Sequence, residues 1–193
     1  MVNKPSFQVA VVHAAPVVLD RDASIEKACS LIAEAARHGA RLIAFPETFI
    51  PAFPVWSALR APIYNHDLFC RLAASAVLVP GPDLDRVCAT AREFGVLVSL
   101  GINERTNASS GCIYNSNVLI GEDGSILNHH RKIVPTFYEK LTWAAGDGAG
   151  LRVCDTTCGR VGMLICGENT NPLARYTMIA QGEQVHIASY PPV

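Results

Sequence analysis

Short apolar runs alternate along the chain with stretches whose apolar residues recur at three- and four-residue spacing. The first run, "FQVAVVHAA" (7–15), is rich in valine and predicts a buried strand. Asp22 is placed to cap the helix that follows. Its apolar positions Ile25, Ala28, Cys29, Ile32, Ala35 and Ala36 keep helical spacing, and His38-Gly39 ends it. "RLIAFPE" predicts a second strand, and the proline-rich segment 48–62 predicts a loop. Residues 65–78 read as a helix. A turn at "VPGPD" leads into another, opened by Pro82, with Leu84, Val87, Cys88, Ala91 and Phe94 on one face and Gly95 behind it.

The second half changes rhythm. "VLVSLGINE", "CIYNSNVLIG" and "SILNHHRK" are consecutive strands, separated by the turn chemistry of "RTNASSG" and "EDG", and so predict antiparallel neighbours. A long loop covers 133–150. "LRVCDT" and "GRVGMLIC" follow as strands. Asn171 caps a helix with Pro172 at its first position, and "VHIASY" is a final strand. The fold class is α/β, one unit of residues 1–193 built on a mixed sheet with helices on its outer face.

Composition narrows the function classes. Half of the 193 residues are hydrophobic, and a chain of this length buries roughly 70% of its unfolded surface. Net charge is −1 with acids and bases interspersed, which argues against nucleic acid or an anionic membrane surface as partner. The seven cysteines form no CxxC pair and sit mostly in apolar segments, where cysteine acts as a small hydrophobe. No run suits a signal peptide or a membrane span. Together these readings give the expectation of a cytoplasmic protein. The six histidines have no metal-ligand spacing, and "CDTTC" reads as a strand end and turn, so no metal is expected.

Three reactive side chains fall where strands end: Glu47, Lys132 and Cys166. In open α/β sheets such ends gather at one site. A cysteine attacks as thiolate and needs a base or a nearby cation; Glu47 suits the first and Lys132 the second. Glu139, seven residues after Lys132, offers another carboxylate. Singly, each has an ordinary reading: a solvated strand end for Glu47, a surface basic cluster for "HHRK", a core thiol for Cys166.

The longer motifs around them are more specific. "LIAFPETFIPAFPVW", "HHRKIVPTFYEKLTWAAGDG" and "GMLICGENTNPLARY" resemble, in order and spacing, the three motifs of the nitrilase branch of the carbon–nitrogen hydrolase superfamily. The resemblance runs from about Phe7 to Pro192. It implies Glu47 as general base, Lys132 as catalytic lysine, Cys166 as nucleophile and Glu139 as the second glutamate. It implies a nitrilase-like four-layer αββα sandwich, no cofactor, and homo-oligomers (dimers or spirals) in the full-length form. The turn Gly167-Glu168-Asn169 is similar to true nitrilases, whereas family amidases tend to carry an aromatic residue and then aspartate there. The implied reaction takes a small-molecule nitrile through a cysteine thioimidate and an acyl-enzyme to a carboxylic acid and ammonia. The alternatives are an amidase or a cyanide-hydrolysing relative.

Pocket chemistry follows from the same motifs. Phe53, Trp56 and Tyr138 are candidates to line a substrate pocket. Gly167 is expected to admit substrate and offer its N–H to the thioimidate nitrogen, with Asn169 beside it. Ala144 stands where the family's glycine is expected after tryptophan. Family members are much longer, so the chain is expected to be a C-terminally incomplete domain. Open strand edges are expected with it, and an inactive truncated subunit is the competing reading.

Overall fold

The computed structural model describes residues 6–191. Pro192, at the far end of the resemblance, and both ends of the expected 1–193 domain lie outside those residues. Strand β1 (Gln8–Val11) leads to helix α1 (Arg21–Arg37), strand β2 (Ala40–Ala44) and a one-turn helix α2 (Trp56–Leu59) inside the proline-rich loop. Helix α3 (His66–Ala74), strand β3 (Val77–Leu78) and helix α4 (Asp85–Phe94) follow. Strands β4 (Leu97–Thr106), β5 (Ser109–Ile120) and β6 (Ile126–Arg131) come next. Strands β7 (Cys154–Thr156) and β8 (Gly159–Ile165), helix α5 (Pro172–Ala180) and strand β9 (Val185–Ser189) complete the order.

The strands form two sheets rather than one. The larger runs β1-β2-β4-β5-β6, with β3 pairing β4. It is parallel from β1 through β2 to β4, then antiparallel through β5 to β6, as the short turns demand. The smaller runs β7-β8-β9. Strand alternation separates the two faces of the large sheet. Ile43, Val98, Leu100, Ile102, Val118 and Ile120 pack with Ile25, Ala28 and Ile32 of α1 and Val87 and Ala91 of α4. On the opposite face Leu42, Leu97 and Leu119 meet Val161, Met163 and Ile187 of the second sheet. Helix α5 packs Ala174 and Met178 on Leu164 beyond it. The layers are therefore helix, sheet, sheet, helix.

Several local expectations shift. β1 is not buried: Val9 is 49% and Val11 79% exposed, because β1 is an edge strand with β2 as its one neighbour. Edge strands β1 and β9 flank an open groove of about 410 Å³, lined by Val9, Val11, Leu42, Ala44, Ile187 and Tyr190. Asp20, not Asp22, caps α1, accepting from the Ala23 N–H at 3.0 Å; Asp22 lies in the first turn, facing the helix dipole. The helix expected over 65–78 stops at Ala74, and Val77-Leu78 pairs with β4 instead. Two β-residues were masked by the apolar spacing of the helix before them. The hairpin at "RTNASSG" is tighter than expected, with only Asn107 and Ala108 outside β4 and β5. Among the described residues no helix is long and apolar enough to cross a membrane.

One buried charge fixes the helix-side face of β4–β6. Glu104 accepts from Ser116 Oγ (2.6 Å), His129 Nε2 (2.7 Å) and Arg131 Nε (3.0 Å). Burial alone would raise its pKa, but these partners outweigh it and hold the carboxyl at about 2, against an ordinary 4.5. A depressed carboxylate stabilises the fold above its unfolded pKa. The gap corresponds to roughly 3 kcal/mol. That contribution is lost as pH falls from about 4.5 towards 2. Urea midpoints should drop steeply over that window, and more shallowly in Glu104→Gln; parallel pH curves for the two proteins would contradict the assignment.

Candidate active site

The carboxyl ends of strands from both sheets meet at one place. Lys132 follows β6 and Cys166 follows β8 directly, while Glu47 lies three residues beyond β2. Glu47 is brought in by an unusually close backbone approach. A Cβ on Gly101 of β4 would lie 2.3 Å from the Pro46 carbonyl and 2.5 Å from the Thr48 nitrogen, so only glycine lets the Glu47 loop rest there. The Glu47 N–H donates to the Tyr190 carbonyl at 2.9 Å, tying the same loop to the end of β9. Below it Ser99, Asn117 and Ser189 form a hydrogen-bonded thread from one sheet to the other (3.0 and 2.8 Å).

Lys132 and Glu47 are each 1% exposed, and Glu139 is buried beside them. The Lys132 ammonium donates to Glu47 Oε1 at 2.9 Å and to Glu139 Oε2 at 2.7 Å. Burial works against the lysine's charge, but the two carboxylates overcome it and push its pKa above the ordinary value. Glu139 is held by its own short helix (Phe137–Leu141), accepting from the Thr136 N–H at 2.7 Å. Glu47 Oε1 also accepts from Asn115 Nδ2 at 2.6 Å, whereas its Oε2 has no hydrogen-bond partner among the described residues. Burial raises the Glu47 pKa, opposed by Lys132 and Asn115.

The Cys166 sulfur and one carboxylate oxygen each of Glu47 and Glu139 lie within 4.8 Å of one another. Burial first, then the two carboxylates, push the thiol up to about 11, with Lys132 pulling the other way. The thiol, held well above its ordinary pKa, thus lies beside a Glu47 carboxyl whose Oε2 has no hydrogen-bond partner among the described residues. Such a set of donors could hold an ion, but the Lys132 ammonium already supplies the cation between the two carboxylates. Cys166 has φ +49° and Thr48, next to Glu47, has φ +46°. Both are left-handed conformations disfavoured for non-glycine residues, and such strain gathers at functional sites.

The other expected pocket residues divide. Tyr138 is half-buried near the charges: burial, then Glu139, Cys166 and Glu47, raise its pKa. Phe53 is not at a pocket surface; it is buried edge-on against Trp143 (5.4 Å) with Leu72, Ala76 and Ile113. Trp56 packs half-buried on that cluster. Gly167 owes its size to packing as well, since a Cβ there would lie 2.9 Å from Thr136 Oγ1. The Asn169 amide is taken up by protein, donating to the Cys166 carbonyl (2.9 Å) and accepting from His186 Nε2 (2.7 Å). It holds the cysteine turn rather than reaching for a ligand. Sequence reasoning missed Asn115 and His130, and took Glu168 only as part of the turn that marks the subgroup. "NSN" inside an apolar strand was the signal for Asn115, because alternation turns it towards the other sheet. His130 is fully buried, so "HHRK" is not a surface basic cluster.

The family model for Carbon-nitrogen hydrolase matches residues 8–193. The chain belongs to the carbon–nitrogen hydrolase family. Among its curated relatives are an "Arylacetonitrilase" of Hypocrea virens, 44% identical over 187 residues, and "Nitrilase 3" of an unknown prokaryotic organism, 42% identical over 186. These alignments cover 96% and 95% of this chain but 55% and 56% of the relatives. The chain thus spans about half the length of the curated relatives it matches. A solved protein of Saccharomyces cerevisiae, a member of branch 10 of the nitrilase superfamily, superposes with TM-score 0.76 at 23% identity. It covers 94% of this chain and 63% of its own. An amidase from Nesterenkonia sp. superposes with TM-score 0.67 at 18% identity, over 94% and 64% of the two chains. These sequence relatives carry nitrilase and arylacetonitrilase names, and the solved structures share the α/β fold of this chain.

Proposed function

We propose that this carbon–nitrogen hydrolase converts a nitrile to its carboxylic acid and ammonia. The observation that carries the reading is the buried constellation in which Lys132 bridges Glu47 and Glu139 beside the Cys166 thiol. Cys166 attacks the nitrile carbon and forms the S–C bond. Its proton passes through Glu47 to the nitrile nitrogen, giving a thioimidate. Water then adds with Glu47 as base, ammonia leaves, and a second water releases the acid from the acyl-enzyme. Lys132 stabilises the negative charge that develops at each addition, and Glu139 orients it. Side chains and water suffice for every step. Apolar residues exposed on α5, Leu173, Tyr176 and Ile179, support an assembly of several copies.

The turn Gly167-Glu168-Asn169 and the nitrilase relatives favour nitriles over amides as substrate, and the relatives' names put arylacetonitriles first in a panel. Ammonia release should be measured from nitriles, inorganic cyanide and the matching amides. Ammonia should come from nitriles, and Cys166→Ala should abolish it. Release from amides alone would make the protein an amidase, and release from cyanide alone a cyanide hydrolase. Release that survives Cys166→Ala would overturn the mechanism.

A further inference from the structure

The strand that leads into Lys132 and the strand that leads into Cys166 belong to different sheets, and no ladder pairs them among the described residues. One carboxylate bonds to the backbone beside both residues. Glu168, in the turn just past the cysteine, is buried. Its Oε2 accepts from the N–H of Ile165, the residue before Cys166, at 2.9 Å. Its Oε1 accepts from the N–H of Ile133, the residue after Lys132, at 2.6 Å. Its Oε2 also meets His130 Nε2 at 2.9 Å; His130 lies two residues before Lys132, on the same face of β6. A carboxylate only accepts, so that ring nitrogen carries a hydrogen. His130 Nδ1 is buried with no partner among the described residues.

We propose that Glu168 is a positioning residue that fixes the separation of the Lys132 ammonium and the Cys166 thiol, with His130 as its orienting partner. The inference rests on the roles just proposed for Lys132 and Cys166. The physical argument is one of reach. Cys166 sits in a strained left-handed conformation that needs support, and an ammonium stabilises an intermediate on sulfur only if the spacing is kept. The three bonds also favour the charged carboxylate strongly enough to lower its pKa despite burial. Glutamine at 168 turns an NH2 group towards at least one N–H. Aspartate is too short to reach both Ile133 and Ile165.

Two readouts test this. The first is steady-state turnover of the nitrile found active. The second is alkylation of Cys166 by iodoacetamide against pH, followed by the mass of the peptide carrying it, which needs no turnover. Glu168→Gln and Glu168→Asp should lower kcat about 10- to 100-fold with little change in KM. Alkylation should slow at a given pH, because the thiol loses part of the lysine's influence. His130→Gln, which keeps a donor, should stay within a few-fold of wild type, whereas His130→Leu should behave as Glu168→Gln. Should Glu168→Gln not fold, the two His130 variants decide. Wild-type kcat and alkylation in folded variants would overturn the proposal. So would a loss of kcat that follows only the folded fraction while alkylation of the folded protein is unchanged. If no nitrile is turned over, the alkylation profile still separates this inference from the functional reading.

Discussion

Glu47→Gln is expected to fold normally and to lose about 10²- to 10⁴-fold in kcat/KM, the usual range for a general base. The substitution is nearly isosteric. Its carbonyl oxygen can still accept from Lys132 and Asn115, as Oε1 does now. Its NH2 then takes the place of Oε2, the oxygen without a partner, where a proton acceptor is needed for chemistry. The pH profile makes the test specific. Burial lifts the Glu47 pKa above its ordinary 4.5, so wild-type activity should fall on acidification through an apparent pKa above 4.5. The variant should lack that acid limb. Its residual activity should instead climb towards alkaline pH, as the thiol, still held above its ordinary pKa by burial and Glu139, ionises without help. A variant with the wild-type acid limb would show that another group is the base.

Lys132→Met should be worse in two ways. It leaves Glu47 and Glu139 buried together without the ammonium that now bonds to both. Breaking a buried pair from one side costs about 3–5 kcal/mol, because the remaining charge stays buried. Without the Lys132 charge and hydrogen bond, burial of Glu47 is less opposed, which raises its pKa further and weakens it as a base. Loss of electrostatic stabilisation alone should remove about 10²- to 10³-fold in kcat. The denaturation midpoint and turnover should therefore both fall, and the stability loss should shrink at low pH, where Glu47 is neutral. A variant as stable as wild type at neutral pH would contradict the charge arrangement.

Much of this was legible in the sequence, for a definable reason. β2, β4–β6 and β8 are short apolar or alternating runs bounded by turn residues and α4 keeps helical spacing, with Gly95 and Pro82 marking the ends of the α4 segment, and local pattern suffices for such elements. Glu47, Lys132 and Cys166 stand at strand ends within long motifs and Glu139 in the loop after Lys132, and these local signals marked them as candidates that the fold then brings together. What stayed hidden depends on non-local contacts. Residues 77–78 read as helix because only pairing with β4 makes them a strand. The exposure of β1 follows from its place at the sheet edge, which spacing does not encode. Phe53 and Asn169 looked like pocket residues by proximity in sequence, but Trp143 and His186, which occupy them, lie far along the chain. Glu168 was read as a mark of subgroup, and its reach to Ile133 shows only in three dimensions.

The bond from the Glu47 N–H to the Tyr190 carbonyl has a dynamic meaning. It runs between the two sheets, so the backbone of the base keeps its place only while the layers stay docked. Opening of one layer from the other is an event short of unfolding, with its own smaller free energy. In such an opened state every strand could persist while the base had left the thiol. The exchange rate of that one amide hydrogen therefore clocks how often the site is assembled, and activity should fade in mild denaturant before secondary structure does.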